Sequence, residues 1–261
     1  MNLLLFHSSE KNQPLPTTDR RVRHLREVLR LPVGGVFAAG EIDGELGRGI
    51  VLGWAGEGLQ WRFEPCEGMS PPLPRLTLAV GLSRPQTMRK ILQEATAMGG
   101  ERFLIFPAQR SEPSYRQSSL WTAGEWQERI LAGVEQAFTT RVPELVQLSG
   151  LAEAISFLAD EGLTGASSVV LDNYEASCAL PDWLATRDSG EESARAVLWV
   201  GPERGWGRAD REQLRESGSP LVHLGPRVLR VETALVAAQG HLLAALGAWG
   251  NNTPSVTLPR E

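Results

Sequence analysis

Two short stretches of this sequence hold the residues best placed to do chemistry. The first is Gly201-Pro202-Glu203-Arg204-Gly205-Trp206-Gly207; the second runs Leu224-Gly225-Pro226-Arg227-Val228-Leu229-Arg230-Val231-Glu232-Thr233-Ala234. Each follows an apolar run that reads as a strand and precedes a helix-like segment. Both therefore fall at the carboxyl ends of predicted parallel strands, the edge where open α/β sheets bind ligands. Three glycines within the seven residues of the first stretch let backbone approach a ligand closely. The second brings Arg230, Glu232 and Thr233 to the mouth of the last helix. Taken one at a time, both are equally well tight strand-to-helix turns, with Thr233 or Glu232 capping the helix.

Other chemistries find little support. No phosphate-binding loop ends in Gly-Lys-Ser/Thr, and no serine sits in a nucleophile elbow. The histidines His7, His24, His223 and His241 lack ligand-like spacing, so no metal is expected. Cys178 lies among small apolar residues and reads as a packing residue; with Cys66 as the other cysteine, the expectation is a reduced, cytoplasmic protein. The opening MNLLLFHSSE has no basic n-region, so no signal peptide is expected, and no apolar run approaches the roughly 20 residues of a membrane helix. Of the 26 basic residues only Lys11 and Lys90 are lysine. Guanidinium forks suit phosphate and base recognition, although genomic base composition produces the same bias. With a net charge of −5, any nucleic-acid site must be a local patch. Arg20, Arg21, Arg23, His24, Arg26 and Arg30 form one, within eleven residues.

The elements that must position these residues divide at 65–75, PCEGMSPPLPR, whose prolines read as a linker. Before it, short strands near 3–6, 35–39, 48–54 and 59–64 surround one helix over about 18–30, capped by Thr17 or Thr18. Val22, Leu25, Val28 and Leu29 would face its core and the arginines its open face. After the linker, strands near 76–81, 103–106, 144–148, 169–171, 196–200 and 221–224 alternate with helices over 85–98, 122–139, 151–159, 208–217 and 232–248. Such alternation implies a parallel sheet covered on both faces. The expected domains are 1–72, a small β-barrel-like module, and 73–261, an α/β domain.

In this order and spacing the two stretches resemble the signature of the SPOUT superfamily of methyltransferases. Within it the chain resembles the ribosomal RNA small subunit methyltransferase E (RsmE) family, whose pattern is Gly-Pro-Glu-Gly-Gly followed by Leu-Gly-x-x-Ile/Val-Leu-Arg-x-Glu-Thr-Ala. The likeness extends to His24-Leu25-Arg26-Glu27-Val28-Leu29-Arg30 with Gly34-Gly35, to Lys90–Gly99 (KILQEATAMG), to Gln109-Arg110-Ser111, and to Glu135-Gln136 with Arg141-Val142-Pro143. The resemblance implies a PUA-like RNA-binding domain, then a SPOUT domain with a trefoil knot, working as a homodimer. It implies transfer of a methyl group from S-adenosyl-L-methionine to N3 of a uridine in small-subunit (16S) ribosomal RNA.

Carried over by position, Leu171, Gly201, Pro202, Glu203, Gly205, Leu224, Gly225, Val228, Leu229 and Thr233 would bind the cofactor. Arg230 would stabilise the developing uridinate, with Glu232 orienting it. Arg20, Arg23, His24, Arg26, Arg110 and Arg204 would meet ribosomal RNA or the small ribosomal subunit. Trp121, Trp126 and Trp206 could stack on bases, whereas helical spacing suits the first two to core or dimer contacts. The chain departs from the pattern at Arg204, where the family has glycine, at Phe138-Thr139 for Gly-Arg, and at Val231 for threonine. An RNA-binding relative or assembly factor with another target or without catalysis is the alternative, and cofactor binding separates the two.

Overall fold

A computed structural model describes residues 3–55, 58–187 and 194–250. The chain falls into two compact units. Among the described residues, one comprises those up to Pro72 together with Val134–Val142; the other comprises Leu73–Gly133 and 143–250.

The first unit is built on a curled five-stranded sheet of β1 (Leu4–Phe6), β2 (Leu15–Pro16), β3 (Val36–Glu41), β4 (Glu45–Ala55) and β5 (Gly58–Met69), in the order β1-β3-β4-β5-β2. Only β1–β3 is a parallel pair. Its core closes around Phe6 and Trp61, whose rings stack with centroids 4.1 Å apart. The prolines do not all lie in a linker, because Pro65 sits inside β5 opposite Gly47. There β5 has β4 alone as a neighbour, since β2 reaches only Leu59 and Gly58. The β4–β5 register also shifts between Glu45 and Gly47, and an edge beside a bulge is where a residue without an N–H is tolerated.

The expected helix over 18–30 is shorter and changes type. Asp19, not a threonine, caps α1 (Arg20–Arg23), accepting the Arg21 amide at 2.8 Å. The chain then widens into a π turn over His24–Val28, with the Leu29 amide reaching back to the His24 carbonyl. The extra residue in that turn rotates the apolar stripe. Val22 and Leu25 remain buried, but Val28, expected in the core, is 66% exposed.

The second unit carries a seven-stranded, wholly parallel sheet of β6 (Leu76–Gly81), β7 (Arg102–Phe106), β8 (Glu144–Gln147), β9 (Ser168–Leu171), β10 (Cys178–Ala179), β11 (Ala196–Val200) and β12 (Leu221–His223). The order is β10-β12-β9-β11-β6-β7-β8. Every residue of β6 and β11 is buried, as a sheet covered on both faces requires. Alternate residues such as Ala79, Val197 and Trp199 pack with α5 (Leu151–Asp160) and α7 (Arg208–Glu216). Against each other pack α2 (Pro85–Met98), the helix expected at 85–98, and α8 (Val231–Ala245). The long helix expected over 122–139 is the shorter α4 (Glu125–Gln136), preceded by a separate turn of helix, α3 (Ser119–Thr122). The edge strand β10 and α6 (Leu180–Ala185) have no counterpart in the sequence reading. Among the described residues no helix is long and apolar enough to cross a membrane.

Candidate functional site

Three neighbouring strands, β12, β9 and β11, point their carboxyl ends at one edge of the sheet. The segments that leave them, 172–177, 201–207 and 224–230, line an open cleft. Leu171, Gly201, Pro202, Glu203 and Gly205 all line it, and so do Leu224, Gly225, Val228 and Leu229. Thr233 does not; it is exposed in the first turn of α8. Asp172, Tyr174, His223 and Arg227 line the cleft without having been singled out. Tyr174 was within reach of the strand-end rule that found the other loops.

The 201–207 loop is tied down at several points. The Gly205 amide donates to the Pro202 carbonyl at 2.7 Å, and the Glu203 carboxylate accepts the Arg84 amide at the start of α2, at 2.9 Å. Trp206, 1% exposed, is a core residue under the cleft and not a base-stacking one. Its indole donates to the Leu171 carbonyl at 2.9 Å. The buried Asp210 carboxylate gathers the Gly207 amide at 2.9 Å and the Gln109 amide at 3.1 Å, joining this loop to the 108–111 turn. The left-handed conformation falls on Gly205, φ +67°, and not on Arg204. The glycine-to-arginine departure therefore carries no backbone strain. The departure at Phe138 does, because Phe138 has φ +57°. It follows α4 where the Thr139 amide bonds back to the Val134 carbonyl, a helix end that favours glycine by about 1–2 kcal/mol.

The 224–230 loop is held only at its ends. The Gly225 amide donates to His223 Nδ1 at 3.0 Å, and the Arg230 carbonyl accepts the Ala234 amide at 2.8 Å. Between them, among the described residues, the amides of Arg227, Val228 and Leu229 have no hydrogen-bond partner. Val228 is 81% exposed. Arg230 is the N-cap residue of α8 and is exposed. Glu232 meets Lys90 at 3.2 Å rather than Arg230, from the first helical turn, where its charge also suits the helix dipole.

The third segment rests on a buried ion pair. Arg211 Nε donates to Asp172 Oδ2 at 2.6 Å, with both side chains almost fully buried. Removing one partner of such a pair costs about 3–5 kcal/mol. These residues stand 39 apart in sequence, and no sequence pattern announces the pairing.

The basic candidates lie in two places. In the second unit, exposed Arg110 donates through Nη1 to the Arg204 carbonyl at 2.9 Å, and Arg204 itself is exposed. In the first unit Arg23 and Arg26 are exposed and His24 is half-buried, while Arg20 pairs with Glu135 at 2.9 Å. Arg21, expected on the open face, is turned inward between Asp19 and Glu10 and reaches the Leu5 carbonyl. Burial alone would lower the Arg21 guanidinium and raise the Asp19 carboxyl, but their hydrogen bonds prevail, so Arg21 titrates above and Asp19 below its ordinary range. Hydrogen bonding from Arg21 lowers Glu10 as well.

Residues 70–243 match the family model of the RNA methyltransferase domain. Over 260 residues the chain is 29% identical to the ribosomal RNA small subunit methyltransferase E of Treponema pallidum, covering 97% of this chain and 95% of that protein. It is 24% identical over 238 residues to ribosomal RNA small subunit methyltransferase E 1 of Borreliella burgdorferi, covering 91% and 95%. Two solved structures share the fold. The ribosomal RNA small subunit methyltransferase E of Neisseria gonorrhoeae, bound to S-adenosyl methionine, aligns at a TM-score of 0.72 and 23% identity, covering 94% of this chain and 97% of that one. A Legionella pneumophila protein in complex with the cofactor SAM aligns at 0.76 and 20%, covering 93% and 97%.

Proposed function

The chain belongs to the RNA methyltransferase domain family, and from that premise we propose that it methylates N3 of a uridine in small-subunit (16S) ribosomal RNA, using S-adenosyl-L-methionine. The observation that carries this reading is the cleft at the shared edge of β12, β9 and β11, with Arg230 beside it at the start of α8. The curated relatives, named ribosomal RNA small subunit methyltransferases and similar over nearly the full chain, support methylation of small-subunit ribosomal RNA.

The cleft's residues fit the cofactor. Leu171, Val200, Leu224 and Leu229 offer an apolar slot for a flat heteroaromatic ring. The unpartnered amides of Arg227, Val228 and Leu229 are donors for its edge. Gly225, at φ +97° with open space around it, leaves that wall free of side-chain bulk. Bound there, S-adenosyl-L-methionine supplies an electrophilic methyl group. The chain's own tasks are to hold the uridine in line and to stabilise the negative charge left when N3 gives up its proton. Arg230 serves the second task, because its guanidinium is exposed where the helix amides of α8 also favour an anion. Lys90 fixes Glu232 and leaves the Arg230 guanidinium free for the base.

In this reading Arg110 and Arg204 guide RNA to the cleft while Arg20, Arg23, His24 and Arg26 of the first unit grip its backbone, and the enzyme acts as a cytoplasmic homodimer. Methyl transfer from labelled S-adenosyl-L-methionine to small subunits lacking the modification tests it, with the product nucleoside identified by mass spectrometry. N3-methyluridine is the expected product; another methylated nucleoside, or none, overturns the assignment.

A further inference from the structure

Tyr174 lies outside every motif described above, yet its setting is unusual. The side chain is 70% exposed and lines the cleft. Its loop is nonetheless pinned at both ends to β12, by the Asp172 amide on the Val222 carbonyl at 2.9 Å and the Ser177 amide on the Leu221 carbonyl at 3.1 Å. Within the loop, Asp172 Oδ1 accepts the amides of Tyr174 and Glu175, each at 2.7 Å. Asp172 is itself fixed by buried Arg211, whose guanidinium carbon stands 5.6 Å from the tyrosine ring centroid. The ring edge lies 3.5 Å from where a Cβ on Gly205 would be. Strand, helix and neighbouring loop thus hold an aromatic ring in place while most of its surface stays in water. A ring fixed in this way at a cleft wall is a preorganised stacking surface.

We propose that Tyr174 is the stacking platform for the purine ring of bound S-adenosyl-L-methionine, with Val228 closing the slot from the 224–230 loop. The proposal rests on reading the cleft as the cofactor site. Charge favours the purine over the other candidates. The methionine end of the cofactor carries an ammonium and a carboxylate and needs free ionic partners, whereas the charges around Tyr174 are already matched. Asp172 is paired with Arg211, and Glu175 with Arg215 at 2.6 Å. An RNA base would arrive with phosphates, and the guanidinium that the ring touches, Arg211, is already neutralised by Asp172. A neutral heteroaromatic ring needs neither, and finds amide donors at Arg227, Val228 and Leu229.

Calorimetric titration of the full-length protein with S-adenosyl-L-methionine and with S-adenosylhomocysteine tests this, alongside steady-state methyl transfer to ribosomal RNA. Tyr174→Ala should raise both Kd values roughly ten- to a hundredfold, the range of one lost base–aromatic stack. Tyr174→Phe should stay near wild type, because no hydrogen bond of the hydroxyl is part of the stack. The melting temperature without ligand and the KM for RNA should not move. Unchanged Kd values in Tyr174→Ala overturn the proposal, and a raised RNA KM beside them assigns the ring to the target base. Wild-type protein that binds neither ligand overturns the reading of the cleft itself, and the proposal with it.

Discussion

The two loops that carry the sequence signature are built in opposite ways. The 201–207 loop is anchored inward: Trp206 lies in the core, Glu203 holds the start of α2, and Asp210 accepts the Gly207 amide. Among the described residues, three amides of each loop lack a hydrogen-bond partner, those of Glu203, Arg204 and Trp206 in one and of Arg227, Val228 and Leu229 in the other. The 224–230 loop, however, has no buried side chain between its two anchored ends, where Val228 is exposed. Two loops that share a Gly-Pro step thus give one wall anchored to the core and one held only at its ends. The difference teaches that the first loop contributes to the fold as well as to the cleft, whereas the second, in the proposed reading of the cleft, is completed by the cofactor.

That contrast predicts which property each substitution damages. Trp206→Ala should cause the largest loss, about 3–5 kcal/mol of folding stability by chemical denaturation, because it empties a core position. Arg230→Ala should lower turnover by about a hundredfold or more while leaving stability and cofactor Kd near wild type. A normal rate in that variant would remove Arg230 from the chemistry. Gly205→Ala should cost about 1–2 kcal/mol of stability through its left-handed backbone. Val228→Ser should be mildest, weakening cofactor binding several-fold with no change in melting temperature, since the side chain is already in water. If Val228→Ser destabilised the fold as much as Gly205→Ala, the distinction between the loops would fail.

Much of this was legible in the sequence where one local rule decides the outcome. Apolar periodicity placed α2 at Pro85–Met98, and fully buried runs placed β6 and β11. Strand-end loops located the cleft. What stayed hidden depends on partners distant in the chain. The edge position that admits Pro65 is set by where β2 stops, and the inward turn of Arg21 by Glu10 and Asp19. The return of Val134–Val142 to the first unit joins Thr140 to Ser70 by hydrogen bonds at 3.0 Å. Glu232 finds Lys90 across 142 residues, a pairing that no reading of the Arg-x-Glu-Thr segment alone supplies. The π turn after α1 was hidden for a different reason, because its periodicity matches neither of the two patterns by which helices and strands are read.

The most direct test is amide hydrogen exchange of the intact protein with and without saturating S-adenosyl-L-methionine. The amides of Arg227, Val228 and Leu229 should exchange quickly in the free protein and become strongly protected on binding, while those of Gly205 and Gly207 change little. Equal protection of both loops, or none in 224–230, would contradict a cleft whose second wall is completed by the cofactor.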